Sequence, residues 1–128
     1  MTIYIVGLGP GDIDDLTRKA WRILKHADTV YLRTSQHGCV SCLPQADTVY
    51  HSFDHLYEQG ESFERVYVTI VETLLDAAQS DDVVYAVRGD PLVGESTTTR
   101  ILAAAQERDM QVEIINGVSF IEPMLKLV

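Results

Sequence analysis

The chain has 128 residues, the size of one domain of roughly 100–150 residues, and its 19 acidic and 10 basic side chains give a net charge of −9. At 46% hydrophobic and 23% charged, it has the composition of a chain with a compact core rather than a disordered one. The acidic balance argues against nucleic acid, whose phosphates need a concentrated basic face, but leaves room for a small cationic or zwitterionic ligand, and no apolar run approaches the roughly 18 residues that cross a bilayer.

Ile3-Tyr4-Ile5-Val6 is a short apolar run that reads as a buried strand. It lacks the basic flank of a signal peptide. With two cysteines and no export signal, the expectation is a cytoplasmic protein with free thiols. The strand runs into Gly7-Leu8-Gly9-Pro10-Gly11-Asp12, a turn-forming loop. A helix is expected next, with Leu16, Ala20, Ile23, Leu24 and Ala27 at helical spacing. Asp14 and Asp15 suit its N-terminus, and Lys25-His26 its C-terminus. Thr29–Leu32 is a second strand, Arg33 to Gln45 is irregular, and Thr48–His51 is a short third strand.

After a connection from Ser52 to Gly60, with room for one helical turn, Ser62 is the expected cap of the clearest helix. Phe63, Val66, Tyr67, Ile70, Val71, Leu74 and Ala78 share one of its faces, and Glu61 and Glu64 suit its dipole. Val83–Val87 is a fourth strand, stopped by Gly89-Asp90-Pro91. A helix is predicted from about Glu95 to Arg108, then a fifth strand over Val112–Ile115 and the turn Asn116-Gly117-Val118-Ser119. Ser119 could cap a last helix with Ile121, Met124, Leu125 and Val128, and Pro123 would fall in its first turn, where proline is tolerated. This alternation predicts one α/β domain over residues 1–128, a three-layer sandwich with helices on both faces of a parallel sheet. In such a sheet ligands bind at the carboxyl ends of the strands.

The motifs narrow the chemistry mainly by exclusion. Gly7, Gly9 and Gly11 are spaced G-x-G-x-G, whereas a dinucleotide fingerprint needs G-x-G-x-x-G and an acid at the end of strand two. Arg33 and Thr34 stand there instead. Cys39 and Cys42, with His37 just before, make half a zinc site at most, and two unligated loop thiols are favoured. His51 and His55 could share a helical face, but no flanking pattern completes a metal site, so none is expected. The Ser96–Thr99 run belongs in a first helical turn, facing a ligand or the sheet, because these side chains compete for backbone partners in a helix interior. No catalytic nucleophile or paired carboxylate stands out. An enzyme of this kind would work by positioning a reactive cosubstrate.

Three stretches together carry a resemblance: Ile5–Asp12 at the N-terminus, Gly89-Asp90-Pro91 after strand four, and Asn116–Phe120 after strand five. In this order and spacing the chain resembles the tetrapyrrole (corrin/porphyrin) methylase family, which transfers a methyl group from S-adenosylmethionine. Tyr31–Ser35 and Tyr50–Glu58 look like the branch fused to MazG-type nucleotide pyrophosphohydrolases. The resemblance covers essentially the whole chain and implies a five-stranded parallel sheet in the order 3-2-4-1-5, the N-terminal half of a larger methylase whose second domain is absent here.

Carried over by position, the resemblance implies cofactor contacts from Pro10, Gly89, Asp90, Val93, Ser119 and Phe120. It puts the acceptor, a tetrapyrrole or another small molecule, beside Gly7, Gly9, Gly11 and Asp12. Asp90 would either meet the cofactor's polar groups or hold its turn. No residue is assigned to catalysis. A homodimer and a fused or associated MazG-type partner are also implied. The alternative is a non-catalytic module that binds a small ligand or the pyrophosphohydrolase and regulates it.

Overall fold

The computed structural model describes residues 1–44, 47–60 and 62–125. Five strands, β1 (Thr2–Gly7), β2 (Thr29–Leu32), β3 (Val49–Ser52), β4 (Val83–Val87) and β5 (Gln111–Ile115), form one sheet in the order β3-β2-β4-β1-β5. Every pairing is parallel, as expected of βαβ connections. The strand order is the one the family resemblance implies.

Side chains alternate across the sheet. Ile3, Ile5, Val83, Tyr85 and Val87 face one layer, where they pack with Val66, Ile70 and Leu74 of α3 (Phe63–Ala77) and Ile101 and Ala105 of α4 (Ser96–Glu107). Val6, Val30, Leu32, Val84 and Ala86 face the other, against Ala20 and Leu24 of α1 (Arg18–His26) and against Cys39 and Leu43 of the long loop after β2. All five β4 side chains are buried, as a central parallel strand covered on both faces must be. At the sheet edge, β3 leaves Val49 54% exposed.

The helix boundaries follow their caps. Ser62 accepts from Arg65 N at the start of α3, and Glu95 accepts from Thr97 N at the start of α4. Two expectations fail. Asp14 and Asp15 do not open α1; they lie in a separate 3₁₀ turn capped by Asp12, and Thr17 caps α1 by accepting from Ala20 N. Phe63 is not in the core face of α3 but 68% exposed. It is the first residue of the helix, and it stacks on Tyr67 instead. The short helices α2 (Asp54–Glu58) and α5 (Ile121–Leu125) complete the fold. Pro123 falls within the first turn of α5, whereas Glu61 and Val128 lie outside the described residues. Among the described residues, no helix is long and apolar enough to cross a membrane.

Candidate functional site

At the carboxyl edge the turns after β1, β4 and β5 pack backbone against backbone. Gly9 and Gly89 exchange both hydrogen bonds, Gly9 N to Gly89 O at 3.1 Å and Gly89 N to Gly9 O at 2.9 Å. A Cβ on Gly7 would lie 2.5 Å from the Gly89 carbonyl oxygen and 2.8 Å from Gly117 N. One on Gly117 would overlap the same carbonyl oxygen. Glycine is therefore required at both positions by space alone. Gly89 itself needs glycine for its conformation, with φ of +66°.

Asp90 locks these turns together. Its Oδ1 accepts from Gly117 N and Asn116 Nδ2, both at 3.0 Å, and its Oδ2 accepts from Leu92 N at 2.9 Å. Burial opposes its ionisation, but the bonds donated by Gly117, Asn116 and Leu92 win and hold the carboxyl below its usual range. These bonds hold the turn, one of the two roles open to Asp90. Ser119, also buried, accepts from Ile121 N at 3.2 Å at the start of α5.

In front of these turns runs a cleft of about 540 Å³, within the size range of small-molecule sites. Pro10, Gly89, Val93, Gly94 and Phe120 line the end near β1, β4 and β5. Phe120 is 54% exposed and offers an apolar face there. Arg33, Thr34, Asp54 and Tyr57 line the end near β2 and β3, with Gln36, Arg88 and Glu95 between. Two arginines and two carboxylates balance, so the cleft does not share the chain's net charge of −9.

The β2–β3 end is held by side chains. Arg33 Nε pairs with Glu95 Oε1 at 2.9 Å, and its guanidinium lies 5.3 Å from the Tyr57 ring centre. Glu95 is only 6% exposed at its side chain and also takes Thr97 Oγ1 at 2.7 Å. Since Thr97 spends its hydroxyl proton on Glu95, the buried Tyr85 hydroxyl donates to Thr97 at 2.9 Å. Of the Ser96–Thr99 run, Thr97 and Thr98 are buried at the start of α4, while Ser96 and Thr99 are exposed. Asp54 Oδ2 accepts from Ser35 N, Ser35 Oγ and Ser52 Oγ at 2.7–2.9 Å. Burial would raise its pKa, but bonds from Thr34, Ser35 and Ser52 prevail and bring it down to about 2.

The structure thus brings Pro10, Gly89, Val93 and Phe120 together on the cleft, while Asp90 and Ser119 stand behind its wall. Gly7, Gly9 and Gly11 belong to the turn that carries Pro10, and Asp12 caps the turn after it, accepting from Asp14 N at 2.9 Å. Cys39 is a buried free thiol and Cys42 an exposed one. His51 and His55 do not share a helical face: His51 is on β3 and His55 on α2. Among the described residues no three of His, Cys, Asp and Glu converge as a metal set. Sequence reasoning assigned no role to Arg33, Asp54, Tyr57, Arg88, Gly94 or Glu95. Arg33 and Arg88 directly follow β2 and β4, so the carboxyl-end rule applied to every strand would have found them.

Comparison with known proteins places this architecture. The profile of the family described as Tetrapyrrole (Corrin/Porphyrin) Methylases matches residues 2–127. The chain belongs to this family. Among methylase relatives, it is 31% identical over 127 residues to uroporphyrinogen-III C-methyltransferase of Cyanidium caldarium, covering 91% of this chain and 45% of that protein. It is 39% identical over 120 residues to the uncharacterized protein YabN of Bacillus subtilis, covering 94% of this chain and 24% of YabN. Uroporphyrin III C-methyltransferase of Thermus thermophilus has the same fold, with a TM-score of 0.70 at 28% identity over 93% of this chain and 49% of that one. The same enzyme complexed with S-adenyl homocysteine matches with a TM-score of 0.67 and 29% identity, over 93% of this chain and 49% of that one. The chain thus spans a quarter to a half of the length of these relatives.

Proposed function

We propose that this chain is the cofactor-binding half of an S-adenosylmethionine-dependent methyltransferase. The observation that carries the reading is the cleft at the carboxyl edge, floored by three turns packed without side chains, in a fold shared with a methyltransferase solved with S-adenyl homocysteine. The residues present fit such a cofactor. Gly89 and Gly94 line the cleft at positive φ with no side chain to fill it, and Phe120 and Val93 supply apolar surface for a flat ring.

S-adenosylmethionine supplies an electrophilic methyl on sulfur, so the protein's task is orientation and partial exclusion of water. Pro10, Gly89, Val93 and Phe120 hold the cofactor end. Asp90 keeps that floor rigid by joining the β4 and β5 turns. Arg33, Asp54 and Tyr57 border the acceptor, a tetrapyrrole or another small molecule. No residue is assigned a proton-transfer role, and Asp54 at about 2 is too weak a base for one near neutral pH.

The same proposal takes the chain as one half of a larger methylase, homodimeric and linked to a MazG-type pyrophosphohydrolase. Exposed Leu92, Ile121, Met124 and Leu125 beside the cleft support a covering surface from further protein. The 24% share of YabN against 45% of the Cyanidium enzyme supports an additional domain in proteins of this branch. The two free thiols support a reducing cytoplasm. Isothermal titration of the protein with S-adenosylhomocysteine checks the reading: saturable heat at one site per chain is expected, and its absence at millimolar ligand overturns it.

A further inference from the structure

His37 sits in the loop after β2, and no part of the proposed chemistry uses it. Its two ring nitrogens have opposite partners. Nε2 lies 2.8 Å from the carbonyl oxygen of Gly9. Nδ1 lies 3.2 Å from the backbone N of Cys39 and 3.2 Å from the Cys39 Sγ. A carbonyl can only accept and a backbone N–H can only donate, so Nε2 carries the proton and Nδ1 presents its lone pair. Geometry fixes one neutral tautomer.

The carbonyl that His37 holds is central to the cleft floor. Gly9 O already accepts from Gly89 N, so the imidazole joins the β2 loop to the turns after β1 and β4 at one atom. A second strut runs beside it, with Arg88 Nη2 donating to Gln36 O at 2.8 Å. The approach is close throughout: a Cβ on Gly38 would lie 2.5 Å from Gly11 O. Gln36, Arg88 and Gly89, which these bonds hold, all line the cleft, as does Pro10 next to Gly9.

We propose that His37 is a positioning residue which, as the neutral Nε2–H imidazole, clamps the β2 loop onto the Gly9–Gly89 pair and releases that rim of the cleft when it is protonated. A proton on Nδ1 would point at the Cys39 N–H and displace the ring. The charged and titratable groups that face it are Arg88 from the β4 turn and Cys39 from its own loop. Burial lowers the pKa of His37 most; the Gly9 bond works the other way, and Arg88 adds to the lowering. The Cys39 thiol, pushed up by burial, stays protonated. Because the folded-state value is depressed, the clamp's contribution is complete above about pH 6.5 and is lost as pH falls through the lower folded value.

The consequence for ligand binding rests on the methylase reading; the clamp itself does not. The test follows His37 side-chain nitrogens and the Gly9 and Gly89 amides by NMR from pH 8 to 5. In parallel, S-adenosylhomocysteine affinity is measured for the wild type and His37→Gln, whose amide donates without titrating. The expected result is the Nε2–H tautomer at pH 8. Gly9 and Gly89 should then shift together with His37 at a midpoint below 6.5, and wild-type affinity should fall across that midpoint while the variant stays flat. An Nδ1–H tautomer, Gly9 and Gly89 shifts independent of His37, or an equal fall in the variant would overturn the proposal. Absence of binding at every pH would count against the methylase reading alone, and the wild-type NMR titration would still decide this one.

Discussion

The two ends of the cleft are built in opposite ways. Near β1, β4 and β5 the floor is main chain, three glycine turns in mutual contact with the Asp90 carboxylate satisfying donors on two of them, and only Pro10, Val93 and Phe120 add side chains above it. Near β2 and β3 the wall is side chain: Arg33 on Glu95 and over Tyr57, and Asp54 among serine hydroxyls. A backbone wall cannot change residue type without losing its shape, whereas a side-chain wall can be altered one group at a time. The first construction suits a ligand shared across a family, and the second suits an acceptor that differs between members.

This contrast sets an order of sensitivity. Gly117→Ala should be the most damaging change, because its Cβ would overlap the Gly89 carbonyl oxygen in a place with no flexible neighbour. A loss of about 3 kcal/mol is expected in urea unfolding, and a loss under 1 would break the comparison. Asp90→Ala leaves the Gly117, Asn116 and Leu92 donors without their acceptor, at a cost of about 2 kcal/mol. Asp90→Asn should recover part of it, since one oxygen remains.

At the other end, Asp54→Ala should cost about 1 kcal/mol, because its partners reach water more readily. Its carboxyl falls from 3.8 to about 2 on folding, so its contribution is full above about pH 4 and fades as pH falls toward 2. The difference in stability between wild type and Asp54→Ala should shrink across that window, and a constant difference would contradict the assignment. The smallest effect concerns the loop joining the two ends. In a native thiol-labelling time course, exposed Cys42 should react fast, while Cys39, buried and raised in pKa, reacts slowly. Equal rates would mean the loop does not cover Cys39.

The fold was legible because apolar runs and turn residues coincide in this chain. Val83–Val87 is apolar on both faces and stops at Gly89-Asp90-Pro91, which leaves little choice but a central strand. The glycine floor of the cleft was legible for the same reason: close backbone packing leaves its trace as glycine, and glycine is visible in sequence. Arg33, Asp54 and Tyr57 were not given roles because arginine, aspartate and tyrosine in a polar connection look like any solvated surface until the sheet order brings β2 and β3 alongside. Phe63 misled for a related reason, since helical spacing marks a face but not where the layer beneath it ends.

The most direct measurement is a titration of the protein with S-adenosylhomocysteine monitored by backbone amide NMR. Saturable shifts centred on Gly89, Val93, Gly94 and Phe120, with weaker ones at Thr34 and Asp54, are what the account predicts. Shifts centred elsewhere on the molecule, or none at millimolar ligand, would contradict it.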